Sequence, residues 1–142
     1  MPRRPPTGFG PISHKSPFRQ LCGPLYERIT PDGVALGVYV ANKHGNLSAV
    51  VHGGMLAMLA DSALGLAISA AAPHIRKMVT TSLSIDYFGN AEVGEWIEAR
   101  AAPHRIGRRM AFASCQIFRV EQPIVRASGA FLILEASAQR SR

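Results

Sequence analysis

The chain has 142 residues, 47% of them hydrophobic and 18% charged. That is enough apolar material for one domain with its own core, and it excludes a disordered polymer, whose mark is low hydrophobicity with high charge. Lys and Arg outnumber Asp and Glu sixteen to nine, a formal charge of +7, but the basic residues are scattered and form no nucleic-acid motif, so no nucleic-acid partner is expected.

Residues 1–33 hold seven of the ten prolines. Proline fixes φ and lacks an amide donor, so this segment is expected to be an irregular arm, with a short helical turn around 17–23. It opens basic but no apolar stretch follows, so no secretory signal is expected. Residues 34–41 (VALGVYVA) are β-branched and apolar and predict a strand. A polar loop over 43–51 follows. Residues 53–72 are rich in Ala, Leu and Met, all good helix formers, and Pro73 closes them. This long helix is apolar on every side, with one charge, Asp61, near its middle. Its length would permit a membrane span. The mid-helix carboxylate and the strands that follow argue instead for a buried core helix and no membrane.

Four more strands are expected at 79–88, 95–102, 110–120 and 124–134, with an arginine-rich turn at 104–109. In the first, Leu83, Ile85 and Tyr87 alternate with Ser82, Ser84 and Asp86. Short connections force antiparallel pairing. One antiparallel sheet and one all-apolar helix are best buried by curling the sheet around the helix, an α+β architecture. The expected division is an arm at 1–33, one domain at 34–138 and a tail at 139–142. The thiols of Cys22 and Cys115 are too few for a disulfide framework and match a cytoplasmic chain. The five histidines show no ligand spacing, so neither metal nor cofactor is expected. His14, His44, His74 and His104 read as surface or loop residues.

Chemistry concentrates in NLSAVVHGGMLAMLAD, residues 46–61. His52, Gly53 and Gly54 stand where the helix begins. The first turn of a helix has unpaired N–H groups and a partial positive charge, and glycines let a ligand approach the backbone. This composition suits an amide donor aimed at a carbonyl oxygen. Asp61 lies about two turns on, where a carboxylate needs a partner or a task; general base or nucleophile is the reading. Each residue has a plain structural alternative. His52 can be a packing residue, the glycines a turn, Asp61 a hydrogen-bonded core acid and Asn46 a turn residue.

HGGMLAMLADSALGLA resembles the HGG…LxDxAxG signature of hotdog-fold acyl-CoA thioesterases of the PaaI (phenylacetyl-CoA-type) group. HGNLSAVVHGG resembles that group's lead-in, and SLSIDYFGNAEVGEWIEARA its following strands. Ala49 stands where the family commonly has Gly, and Asn90 where it has Pro. The resemblance spans roughly residues 23–134. It implies a sheet of five or six strands around one central helix. It also implies hydrolysis of an aryl- or medium-chain acyl-CoA to free acid and CoA. Asp61 would then be the catalytic carboxylate, the Gly53 amide would polarise the carbonyl and Gly54 would shape the turn. His52 and Asn46 would orient carbonyl, water or loop, and Thr80 would assist the carboxylate. Thr80 and Thr81 point to opposite faces of a regular strand, so only one can serve. The resemblance further implies an active site shared between two subunits, in a homodimer or a dimer-of-dimers tetramer. Arg105, Arg108 and Arg109 are candidates for the CoA phosphates, since guanidinium groups suit bidentate phosphate contacts; Arg76 and Lys77 are a second set. The acyl group is expected near Leu59, Tyr87 or Phe88. The alternative function is a non-catalytic acyl-CoA-binding module of the same fold.

Overall fold

In the computed structural model, which describes residues 3–138, the elements follow in the order β1 (Gly10–Pro11), α1 (Pro17–Cys22), β2 (Tyr26–Thr30), β3 (Gly33–Tyr39), α2 (Gly53–Ala71), β4 (Ile75–Tyr87), β5 (Trp96–Ile106), β6 (Met110–Arg119) and β7 (Gln122–Ala136). The strands form one sheet in the order β1-β2-β3-β5-β6-β7-β4, every pair antiparallel. Cross-strand partners share a face, so Leu36, Ala99, Ile117 and Val125 form one row toward α2. Eleven of the 19 residues of α2 are buried, which marks it as the core helix and not a membrane span. Leu56, Leu59, Leu64 and Ile68 are at most 1% exposed, each contributing roughly 1.5–3 kcal/mol of transfer free energy. The facing sheet residues Ala99, Ala111 and Ala113 are small and sealed, which lets the helix lie close.

The sheet has seven strands where five or six were expected. The surplus comes from the proline-rich segment, expected to be irregular. Its 17–23 turn is present as α1, but Tyr26–Thr30 pairs along its whole length with β3. That strand carries Glu27 and Arg28 at successive positions and shows no apolar alternation. Backbone pairing at the open edge of β3 holds it, not a buried face. Glu27 is buried and accepts from the Ser13 hydroxyl at 2.8 Å, tying the arm down just before α1. On the outer face Phe9 and Tyr39 stack edge-on against Trp96, with ring centroids 5.1 and 4.9 Å away. Gly37 lies beneath that indole, where a Cβ would fall 2.1 Å from the ring. The expected tail at 139–142 lies outside the described residues. The 104–109 turn is shorter than expected: β5 continues through Ile106, which leaves Arg105 on a strand and Arg108 and Arg109 in the turn.

β4 ends the sheet, and its 13-residue outer edge has no strand beside it among the described residues. A register shift between Thr80 and Ser82 turns Thr80 to the face of Leu83, Ile85 and Tyr87. Regular alternation would have set it with Ser82, away from the helix.

Candidate active site

His52 caps α2. Its backbone is extended and its Nδ1 accepts the Gly54 N–H at 2.8 Å. A neutral imidazole accepting at Nδ1 carries its proton on Nε2. The Met55 and Leu56 amides both donate to the His52 carbonyl, at 2.9 and 3.2 Å. Of the first four N–H groups, which have no partner within a helix, only that of Gly53 is left without an acceptor among the described residues. The two glycines therefore do different work. A Cβ on Gly54 would press on His52 Nδ1 at 3.0 Å, so Gly54 makes room for the cap. A Cβ on Gly53 would meet only the Tyr87 ring at an ordinary 3.7 Å, so what matters at Gly53 is its amide. Tyr87 also donates its hydroxyl to the Gly53 carbonyl at 2.9 Å. Asn46, Gly53, Tyr87 and Phe88 line an open cavity of about 570 Å³.

The loop before α2 is built on Asn46. Its Oδ1 accepts the Ser48 N–H at 2.8 Å, and its backbone N–H donates to the Val50 carbonyl at 2.7 Å. The tight turn sets Ala49 at a φ of +61°, the left-handed region that favours glycine. Asn46 is thus a turn residue whose side chain also borders the Gly53 cavity.

Asp61, half-buried, lines a second cavity of about 260 Å³. Thr80 donates its hydroxyl to Asp61 Oδ1 at 2.6 Å. Thr81 donates instead to the Ala130 carbonyl at 3.1 Å. The two threonines are thereby separated, and only Thr80 reaches the carboxylate. Gly53 and Asp61 are eight residues apart, or about 12 Å along the helix axis. One carbonyl cannot meet both within a single chain.

Arg108 and Arg109 occupy the β5–β6 turn at the C-terminal end of α2, with Arg105 just before it. None of the three lines the Gly53 or Asp61 cavity. Arg76 and Lys77 begin β4 at that same end. Leu59 is wholly sealed in the core, which corrects its place near the acyl group; Tyr87 and Phe88 do border the Gly53 cavity. His44 lies in the loop between β3 and α2, as expected, but is 4% exposed and so is not at the surface. Its Nδ1 accepts the Ala41 N–H at 2.9 Å and its Nε2 donates to the Cys22 carbonyl, joining α1 to the loop. Burial holds its pKa below the ordinary histidine value, against the opposing pull of the Cys22 carbonyl. Burial likewise pushes the Cys115 thiol up to about 12. Besides Asp61, the ionisable residues of this cavity are His14 and Arg19, neither of them singled out from sequence as a site residue. Nothing in their local pattern signals it, because only tertiary packing brings α1 there.

Comparison with known proteins bears on this geometry. A thioesterase superfamily profile matches residues 49–125. A Pseudomonas aeruginosa protein carrying the provisional name of an esterase is 36% identical over 127 residues, covering 89% of this chain and 95% of its own. The TT0310 protein of Thermus thermophilus superposes with a TM-score of 0.75 at 29% identity, over 85% of this chain and 100% of that one. A variant of the phenylacetic acid degradation protein PaaI from the same organism gives 0.75 at 28% identity, over 84% and 100%. The helix sheathed by an antiparallel sheet is the hotdog fold. The chain belongs to the thioesterase superfamily, and its activity class is hydrolysis of thioesters.

Proposed function

We propose that the protein is an acyl-CoA thioesterase, releasing free acid and CoA from aryl- or medium-chain acyl-CoA, and that each active site is built from two chains. The observation that carries the reading is the carboxylate of Asp61, half-buried and held by Thr80 at 2.6 Å, on the same helix that begins with the uncommitted Gly53 amide. In this account the thioester carbonyl lies on the Gly53 N–H of one subunit. Asp61 of the other takes a proton from water as its oxygen bonds to the carbonyl carbon. The resulting oxyanion rests on the amide; as it collapses the C–S bond breaks and the proton passes to the departing thiolate. The same carboxylate could add directly as nucleophile. An oxyanion donor of this kind contributes about 10²–10³ in rate, and a general base about 10²–10⁴.

The open edge of β4 favours a two-chain site, because an unpaired strand edge is a template for another copy. A two-fold axis at Ser84 would set Ile85 of one chain opposite Leu83 of the other, and Tyr87 opposite the irregularity at Thr80 and Thr81, on the helix side of a continuous sheet. That pairing would carry the Gly53 amide toward the second chain's Asp61. A dimer, or a pair of dimers, follows. His52 then serves as the cap that keeps the Gly54 amide occupied, and Asn46 as the support of the loop. The β5–β6 turn, at the far end of α2 within one chain, is brought nearer the partner's Gly53, where Arg105, Arg108 and Arg109 can meet phosphates. The free thiols Cys22 and Cys115 suit a cytoplasmic setting.

The test is CoA release from a panel of acyl-CoA esters by the wild type and by Asp61→Asn. The account expects turnover in the first and a loss of at least about 10² in the second. Acyl-CoA-dependent thermal stabilisation without any turnover would point instead to a binding module.

A further inference from the structure

The Asp61 cavity has a cationic wall that the hydrolysis above leaves unused. His14 and Arg19 line it together with Leu66, Met78 and Phe131. Arg19 is half-buried and held in place. Its backbone N–H donates to the Ser16 hydroxyl at 3.1 Å and its Nη1 to the His14 carbonyl at 3.1 Å. α1 is fixed in turn by the bond from His44 to the Cys22 carbonyl. Among the described residues Arg19 forms no ion pair, and its other guanidinium donors are not engaged. Asp61 is the only carboxylate lining the cavity, yet it lies beyond ion-pair distance of Arg19 and is already bonded to Thr80. One turn along from Asp61, Gly65 leaves the space beside the carboxylate open: a Cβ there would find its nearest neighbours at 3.7 and 3.8 Å, on Met78 and Phe131.

We propose that this cavity receives the acyl group, and that Arg19, with His14 beside it, selects acyl groups ending in a carboxylate. The inference rests on the thioesterase reading of this site but replaces its aryl- or medium-chain acyl group with a different class, the CoA ester of a short dicarboxylic acid. Size and position argue for it. At about 260 Å³ the cavity falls below the range of drug-sized pockets and suits a short chain. Its lining includes the Arg19 guanidinium, held through Nη1 by the His14 carbonyl, a shape that matches a carboxylate with two parallel hydrogen bonds. The CoA phosphates are not the anion in question, since the pantetheine arm holds them many bonds from the sulfur. A cation sharing a small cavity with the reacting acid meets the acyl side of the thioester.

The experiment compares kcat/KM on glutaryl-CoA and pentanoyl-CoA, which have the same number of acyl carbons and differ in the terminal carboxylate. The wild type is expected to favour glutaryl-CoA by roughly ten- to a hundredfold, the value of a hydrogen bond to a charged group. Arg19→Gln should bring the ratio down toward one, and Arg19→Lys should restore part of it. A purely structural role for Arg19 would lower both rates and leave the ratio where it was. Turnover by the wild type without preference, or a ratio unmoved by Arg19→Gln, overturns the inference and leaves the thioesterase reading standing. If the wild type turns over neither these esters nor any other in the acyl-CoA panel, that reading fails first, and the inference with it.

Discussion

Replacing Thr80 by Val removes one hydroxyl and little else. The two side chains have nearly the same shape, and valine suits a strand at least as well. The bond lost is the 2.6 Å hydrogen bond to Asp61 Oδ1. Hydrogen bonds to charged groups contribute about 1.5–3 kcal/mol net. Thr80 is exposed, so water can supply a substitute donor and the lower end applies. If the hydroxyl orients the carboxylate during reaction, about 1.5 kcal/mol corresponds to roughly a tenfold fall in kcat. KM should change little, because the carboxylate acts on water and not on the resting substrate. The assay is CoA release monitored with a thiol reagent under saturating acyl-CoA, with circular dichroism as the check on folding. Thr80→Ser keeps the donor and should retain most of the activity; Thr81→Val, whose hydroxyl serves the Ala130 carbonyl, should not reproduce the loss. A Thr80→Val enzyme with undiminished kcat would refute the role given to this pair.

Ala49 sits at a φ of +61°, so Ala49→Gly should stabilise the fold by about 0.5–1 kcal/mol, read as a rise in the denaturation midpoint. His44 gives a pH signature. Its folded pKa lies below the ordinary 6.5, so below that pH the unfolded chain binds more protons than the folded one. Stability is then complete above pH 6.5 and is lost as pH falls toward the folded pKa. The melting temperature should drop on acidification over that window, and His44→Gln should flatten this part of the profile. Cys115, with its thiol pushed up to about 12, should resist alkylation at pH 8 in the folded protein and react at once on denaturation.

The long helix was legible because its composition leaves no polar face and Pro73 marks its end. Five of the strands were legible: β3, β5, β6 and β7 each bury one face against that helix, and β4 alternates Leu83, Ile85 and Tyr87 with Ser82, Ser84 and Asp86. β2 was not. It lies next to the end of the sheet, flanked on its outer side only by the two-residue β1; its side chains, Tyr26 to Thr30, follow no apolar period, and its stability lies in backbone bonds to β3. Two features of the site were also invisible locally. The register shift after Thr80 is set by pairing with β7, which no pattern within β4 records. His14 and Arg19 border the Asp61 cavity only because Glu27 and His44 hold the arm and α1 in place. By contrast, the His52 cap and the uncommitted Gly53 amide follow from the order of residues at a helix start, where local rules suffice.

The claim that a bare amide and a carboxylate from different chains make one site can be tested by mixing two defective subunits. Gly53→Pro removes the amide donor at the first position of α2, where proline is well tolerated. His52, at φ −66° and ψ 137°, already has the backbone that precedes proline. Asp61→Asn removes the acid. Each variant alone should be nearly inactive. Co-expressed in equal amounts, the two chains form mixed dimers in which one of the two sites is whole, so activity should return to about a quarter of the wild-type value for a two-fold pair. Mixed dimers isolated by two different tags and found as inactive as the parents would mean that amide and acid act within one chain or not at all.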